Sequence, residues 1–470
     1  MAELRLQEPP LVKSVVEEGG HLFDGLFLRT LLIDRARIKW KFIPWAIKGG
    51  LAILDQALFA GTNFLVNVLL GRWLTSAQYG AFAVVYSLFF LFSTFHAAVL
   101  TEPMMVFGPG KYAPDFRKYV GMLLCGHLSL MMPVSLILLV AASVAGHFYP
   151  GGAEQAFLGL AAAAPLILLL WLLRQTFYIR LQPGWSAVGG VLYLVFFLAV
   201  VFMLRAQNRL SPMTAFWGMG AGALAASIFL LIRLQPRWTR GPENLTARLV
   251  ASEHWRYGRW SIAAVAVQWF PSNIYYSLLP AWMGLAASGA LRAFANLAMP
   301  ALHSISPLSS LLLPLLVQAR QQGGPQLMTK RMKPLLAFLI AGSIVYLGLL
   351  LYFRSAILNL CYAGKYLEYG WLPVFLVGLL PITVSLNTVL ACGLRALERP
   401  DWVFWGYVGS SAVTLVVGIP LSARLGIVGA LSGVLFSSLT TGLMALLFYT
   451  RYQRRQEPVN ANRSRLGWTL

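Results

Sequence analysis

The sequence predicts an all-α, polytopic membrane protein of about twelve transmembrane helices. Three observations carry that expectation: a composition too poor in charge for water, apolar runs long enough to cross lipid, and basic residues that alternate between loops. Of 470 residues, 58% are hydrophobic and 11% charged, and the mean hydropathy is +0.68. A soluble domain carries roughly 25% charged residues. This chain cannot cover itself with water-compatible surface, so most of its solvent is lipid.

A lipid-crossing helix needs roughly 20 mainly apolar residues, because every backbone polar group must be paired within it. Twelve runs meet that requirement: 49–70, 81–107, 119–145, 156–173, 187–204, 213–232, 260–283, 293–317, 334–353, 371–391, 403–423 and 427–449. Pro300, Pro307 and Pro314 interrupt the eighth. With the tails and every second loop assigned to one side, that side holds 30 Lys and Arg residues and the other holds 7. Basic residues are retained in the cytoplasm, so both termini are expected there. The same alternation explains the net charge of +21 without nucleic acid, for which one basic patch would be needed. Cys125, Cys361 and Cys392 are too scattered for a disulfide framework or a metal site. The acidic start, with Glu3, Glu8, Glu17 and Glu18, is no signal peptide.

The longest cytoplasmic connection, the basic linker 233–259, divides the spans six and six. The halves, 45–232 and 260–449, echo each other at an offset of 209 residues: Trp73 matches Trp282, Gly80-Ala81 matches Gly289-Ala290, Asn63 falls on Ser272 and Asn67 on Tyr276. An even number of spans per half implies two six-helix lobes of like orientation, related by a pseudo-twofold along the membrane normal. Residues 1–44 form a cytoplasmic segment with Leu22, Phe23, Leu26, Phe27 and Leu31 at helical spacing before Arg35, Arg37, Lys39 and Lys41. This pattern suits either an amphipathic helix on the anionic leaflet or a disordered basic tail. Residues 450–470 form a second basic tail.

Polar groups inside a membrane are costly and usually face the bundle interior or a wet cavity. Gln56, Asn63 and Asn67 share one face of the first span, Gln268 and Tyr276 belong to a stripe on the seventh, and Arg292, Asn296 and His303 fall 4 and 7 apart on the eighth. These eight are the candidate lining of a central, hydrated substrate cavity; the alternative for each is hydrogen bonding between helices. Arg292 reads either as a partner for an anionic substrate or as an interfacial arginine reaching lipid phosphates. Asp55, Arg174 and Gln175 near the cytoplasmic ends are candidates for a gate or for ion coupling, and Asp55 also suits a paired structural carboxylate. His96, His127 and His303 read as packed or helix-bonded. No poised carboxylate pair, phosphate-cradling loop or metal cluster is legible, which argues against an enzyme and its cofactors.

The stretch Gly71-Arg72-Trp73-Leu74-Thr75-Ser76-Ala77-Gln78-Tyr79-Gly80-Ala81 resembles the first outer loop of Wzx-type polysaccharide flippases. Ala423-Arg424-Leu425-Gly426-Ile427-Val428-Gly429-Ala430 is similar to the start of that family's twelfth helix, and Gly393-Leu394-Arg395-Ala396-Leu397-Glu398-Arg399 to its tenth-helix exit. Trp73 stands where the family more often has leucine, and the long N-terminal extension departs from its short tail. The family sits in the multidrug/oligosaccharidyl-lipid/polysaccharide (MOP) superfamily. The resemblance implies two rocking lobes and the flipping of a lipid-linked oligosaccharide or polysaccharide precursor, polyprenyl-diphosphate-linked, from the cytoplasmic to the outer leaflet. It leaves open proton or sodium coupling and partnership with a polysaccharide polymerase or glycosyltransferase. The competing expectations are a drug or metabolite exporter of the same superfamily and, further off, a membrane-embedded enzyme or assembly component. A major-facilitator porter fits less well, because the 110–118 loop lacks that class's Gly, Asp-Arg and basic cluster.

Overall fold

The computed structural model describes residues 49–148, 152–238, 246–305 and 308–465, and the expected N-terminal segment 1–44 lies outside them. The described residues form helices and short connections, with no strand among them. The first lobe contains α1 (Gly49–Trp73), α2 (Ser76–Phe107), α3 (Phe116–Phe148), α4 (Ala153–Ile179), α5 (Pro183–Ala206) and α6 (Pro212–Leu234). The second contains α7 (Ala247–Met283) and α8 (Leu285–Ile305), then α9 (308–322) and α10 (325–352) on either side of a break at Gly323 and Gly324. It continues with the short α11 (Arg354–Tyr362), α12 (Leu372–Ala396), α13 (400–425) and α14 (427–465), the last two parted by non-helical Gly426. With α8 and α9 forming one crossing and α11 lying between crossings, these helices make twelve membrane-length segments in two six-helix lobes. The chain is a multi-pass membrane protein.

Three boundaries differ from the sequence expectation. The seventh helix begins at Ala247 rather than 260, so half of the expected linker 233–259 is helix. Its first turns are polar, which hides them from a hydropathy reading, and they are held by the first lobe instead of by lipid. Thr246 caps the start by accepting from the Leu249 amide. Glu253 takes hydrogen bonds from Lys111 and from the Tyr112 hydroxyl, and the His254 Nδ1–H donates to the Val99 carbonyl at 3.0 Å. The eighth helix begins at Leu285 rather than 293, because Gly284 turns the chain at φ +75° where a side chain would be strained. Arg292, expected in an outer loop, therefore lies two turns inside α8. The last helix runs on to Arg465, so most of the expected tail 450–470 is helical.

Small residues set how the lobes meet. The main contact across the lobes is α2 against α8, and its closest approach is Gly80 against Gly289. A Cβ on Gly289 would stand 2.6 Å from the Ser76 carbonyl oxygen and 2.9 Å from the Gly80 amide, and one on Gly80 would strike the Leu285 carbonyl. These are the two glycines equivalent under the 209-residue offset, each packed on the other. Lipid offers no hydrophobic drive between helices, so such close backbone packing supplies the attraction. Thr75 and Gln78 close a reciprocal cap at the start of α2, fixing its approach to this crossing.

We expect Gly80→Val to lower the thermal unfolding temperature sharply. The new methyls meet backbone, which cannot give way, so the cost exceeds the ~1–3 kcal/mol usual for overpacking. Gly61→Ala, which meets nothing within 4 Å, should leave the temperature nearly unchanged; equal shifts for the two would contradict the crossing.

Candidate substrate cavity

Below the Gly80–Gly289 crossing lies a cavity of about 730 Å³. Tyr276 of α7 and Arg292 of α8 stand at its inner end, Gln268 and Tyr407 along its wall, and Arg395 and Trp402 at the helix ends that form its mouth. Hydroxyls and amides line the space between, among them Ser272, Asn273, Thr388, Ser437 and Thr441, and no Asp or Glu is among the lining residues. The wall belongs almost wholly to the second lobe, with only Phe90 and Thr94 of α2 from the first.

Arg292 is 5% exposed. Its Nε donates to the Asn67 Oδ1 at 2.8 Å, a bond that ties the two lobes. Asn67 is fixed in that orientation because its own Nδ2 donates to the Asn63 carbonyl one turn back, at 2.8 Å. Asn63 in turn accepts from the Tyr86 hydroxyl at 2.8 Å. Around the guanidinium stand the rings of Tyr86, Phe90 and Tyr276, at 4.9, 5.8 and 5.9 Å from their centroids. These faces stabilise a desolvated cation, but no ion pair involves Arg292 among the described residues. It is a buried positive charge with neutral partners, facing a cavity.

The structure thus brings together Arg292, Asn67, Asn63, Gln268 and Tyr276, although Asn63 and Asn67 back the cavity rather than line it. Asn296 and His303 are corrections to the expected lining. Asn296 is buried and donates to the Tyr362 hydroxyl at 3.2 Å, and Tyr362 donates to the Ala293 carbonyl, so this part of the stripe seals the lobe contact. His303 is half-buried off the cavity wall, with Nε2 unpartnered among the described residues. Gln56 also lies away from the cavity, donating to Tyr178 at 3.3 Å. Asp55 is fully buried, pairs with Arg174 at 2.8 Å and accepts from the Tyr178 hydroxyl at 2.6 Å. Arg174 also lies over the Phe59 ring. Gln175 is half-buried and outside this group.

Two clusters escaped the sequence reading. His96 and His127 are 31 residues apart, and their rings meet at 2.9 Å inside the first lobe. His127 Nε2 lies 3.1 Å from the Pro165 carbonyl. A carbonyl only accepts, so that nitrogen carries the proton and Nδ1 accepts from His96. His96 borders a π-helical turn, Ala97–Thr101, the same turn that His254 holds through Val99. The second cluster closes the end of the bundle opposite the cavity mouth. There Arg72 donates to the Asn359 and Leu360 carbonyls, and Lys365 to those of Gly71, Arg72 and Leu74. Main-chain acceptors leave no trace in a sequence pattern.

No protein-family profile matches this sequence, and no curated protein sequence does either. Solved structures do. An inward-facing multidrug-resistance MATE family transporter of the MOP superfamily superposes with a TM-score of 0.71, over 87% of this chain and 99% of its own, at 11% identity. The lipid II flippase MurJ in an inward closed conformation gives 0.69 over 86% and 87%, at 11% identity. An outward-facing MATE family transporter of the same superfamily gives 0.62 over 88% and 97%, at 12% identity. The likeness establishes the fold that these transporters share, twelve helices in two lobes.

The Asp55–Arg174 pair yields a stability prediction. Arg174→Met should cost about 3–5 kcal/mol, because it strands a buried carboxylate. The double variant Asp55→Leu/Arg174→Met should recover most of that loss in unfolding measurements. A double variant as unstable as the single would show that the pair is not the source of the cost.

Proposed function

We propose that this protein moves a lipid-linked oligosaccharide or polysaccharide precursor, carried on a polyprenyl diphosphate, from the cytoplasmic to the outer leaflet of a bacterial inner membrane by alternating access. The observation that carries the proposal is Arg292, a buried guanidinium with no carboxylate partner, at the inner end of a cavity without Asp or Glu among its lining residues. A phosphate leaving the headgroup region loses hydration, and a fixed guanidinium recovers part of it through charge-assisted hydrogen bonds. Hydroxyls and amides along the wall suit sugar hydroxyls. The basic asymmetry of the loops supports a cavity mouth on the cytoplasmic side, a loading state. The resemblance to Wzx-type flippases and the MurJ fold point to the same cargo class.

A drug or metabolite exporter is the competing function, since the MATE relatives share the fold. A cationic drug would need acidic groups, and the cavity wall holds two arginines instead. Asp55, locked to Arg174 and Tyr178, is engaged as a structural tie; proton or sodium coupling through it would require that tie to open. Polymerase or glycosyltransferase partners belong to this proposal through the cargo alone.

In proteoliposomes, Arg292→Ala should reduce flipping of a fluorescent polyprenyl-diphosphate-linked glycan by tenfold or more, roughly the ~1.5–3 kcal/mol of a hydrogen bond to a charged group. Arg292→Lys should restore part of the rate, because an ammonium keeps the charge without the planar fork. Wild-type flipping by a folded Arg292→Ala protein would remove this residue from the mechanism.

A further inference from the structure

The closed end of the bundle is latched by cations that reach across the lobes. Arg72, at the end of α1, donates to the Asn359 and Leu360 carbonyls near the C-terminus of α11. Lys365, just past α11, donates back to the carbonyls of Gly71, Arg72 and Leu74, at 3.1, 2.8 and 2.5 Å, at the end of α1. Each lobe thus supplies the positive charge that caps the other lobe's helix, where the helix dipole favours a cation. A third cation stands by. Trp73 meets Phe202 of α5 edge to face at 5.1 Å, which brings Arg205, one turn further along, to the same end. Burial, then Arg205 and then Arg72, push the Lys365 ammonium below its ordinary range. No ion pair involves any of the three among the described residues.

Alternating access requires these ends to part. When they do, both latch cations lose acceptors held by the opposite lobe; Arg72 stays beside Arg205 on the first lobe, and Lys365 faces them across the opening from the second. We propose that Arg72, Lys365 and Arg205 then form an anion station that takes a phosphate or diphosphate group at the outer end of the transport path. The station rests on the rocking motion of the proposed function but not on Arg292. Its cations are satisfied by main chain when the end is closed and by phosphate when it is open. An anion there holds the open state and blocks return until it leaves. Tyr79 and Tyr362, packed on Gly71, separate the station from the cavity, so the two sites are not in contact in the closed state.

The test uses the full chain in nanodiscs, with Cys125, Cys361 and Cys392 replaced by serine and spin labels at Gln207→Cys and Glu368→Cys, both exposed at this end. Inorganic pyrophosphate is the probe in phosphatidylcholine discs, and phosphatidylglycerol discs without pyrophosphate form the second arm. The long-distance population should grow about fivefold, the lower end of usual ligand–conformation couplings. Growth with pyrophosphate alone assigns the station to a mobile phosphate, and growth with phosphatidylglycerol alone assigns it to a lipid headgroup. Arg205→Gln should shrink the growth, measured against its own probe-free distribution. Lys365→Gln, which removes three latch bonds, should raise the long-distance population without any probe. If it does and neither arm shifts the unsubstituted latch, the station is wrong and the rocking motion stands. If Lys365→Gln changes nothing and no long distance appears in either arm, both fall.

Discussion

The protein is organised around the cost of holding one guanidinium in the middle of a bundle. A charged side chain at membrane depth is tolerated where it faces a partner or water, and Arg292 is given several neutral partners. Asn67 supplies an oxygen oriented by the preceding turn of its own helix, and three aromatic rings supply their negative faces. The remaining compensation is access to a cavity without acidic side chains. A carboxylate in the same place would have paired with the guanidinium and cancelled its pull on an anion. Neutral partners hold the side chain in position and leave its charge available.

The same arginine fixes where the lobes touch. Its bond to Asn67 runs from α8 to α1, just below the point where Gly80 and Gly289 bring α2 and α8 into backbone contact. Above that point the contact is sealed by Tyr79, Tyr362 and Asn296 and latched by Arg72 and Lys365. At the opposite end the first turns of α7 are bonded to the α2–α3 connection through Glu253 and to α2 and α3 through His254, although the rest of α7 lines the cavity of the second lobe. Helix α7 is therefore shared between lobes. Small residues, hydrogen bonds and carbonyl caps can be exchanged one set for another, whereas an interlocked apolar core cannot.

Much of this was legible in the sequence, for physical reasons. Lipid imposes length and apolarity on each crossing, so the twelve spans could be read directly. The Gly80 and Gly289 echo was legible as a match between the halves, but that the two glycines pack on each other was not, because spacing within one chain does not show which helices touch. Arg292, Gln268 and Tyr276 were found by asking which polar groups a membrane helix would not carry idly. Helical spacing placed Asn296 and His303 beside Arg292, but it could not say that α8 turns that face from the cavity toward Tyr362. Helical spacing also could not show a cavity lying almost wholly in the second lobe. The polar start of α7 resembles a loop until the first lobe is there to receive it. His96 and His127 had no common spacing because they meet across two helices. The latch at Arg72 and Lys365 uses main-chain oxygens, which every residue has.

The central claim is that the missing counter-charge of Arg292 is supplied by the cargo. Calorimetric titration of the nanodisc-embedded protein with a polyprenyl diphosphate and with the matching uncharged polyprenol tests it directly. The diphosphate should bind at least about tenfold more tightly, a difference of ~1.4 kcal/mol, and the difference should vanish when Arg292 is replaced by Met. Equal affinities for the two lipids, or a preference that survives the replacement, would contradict the account.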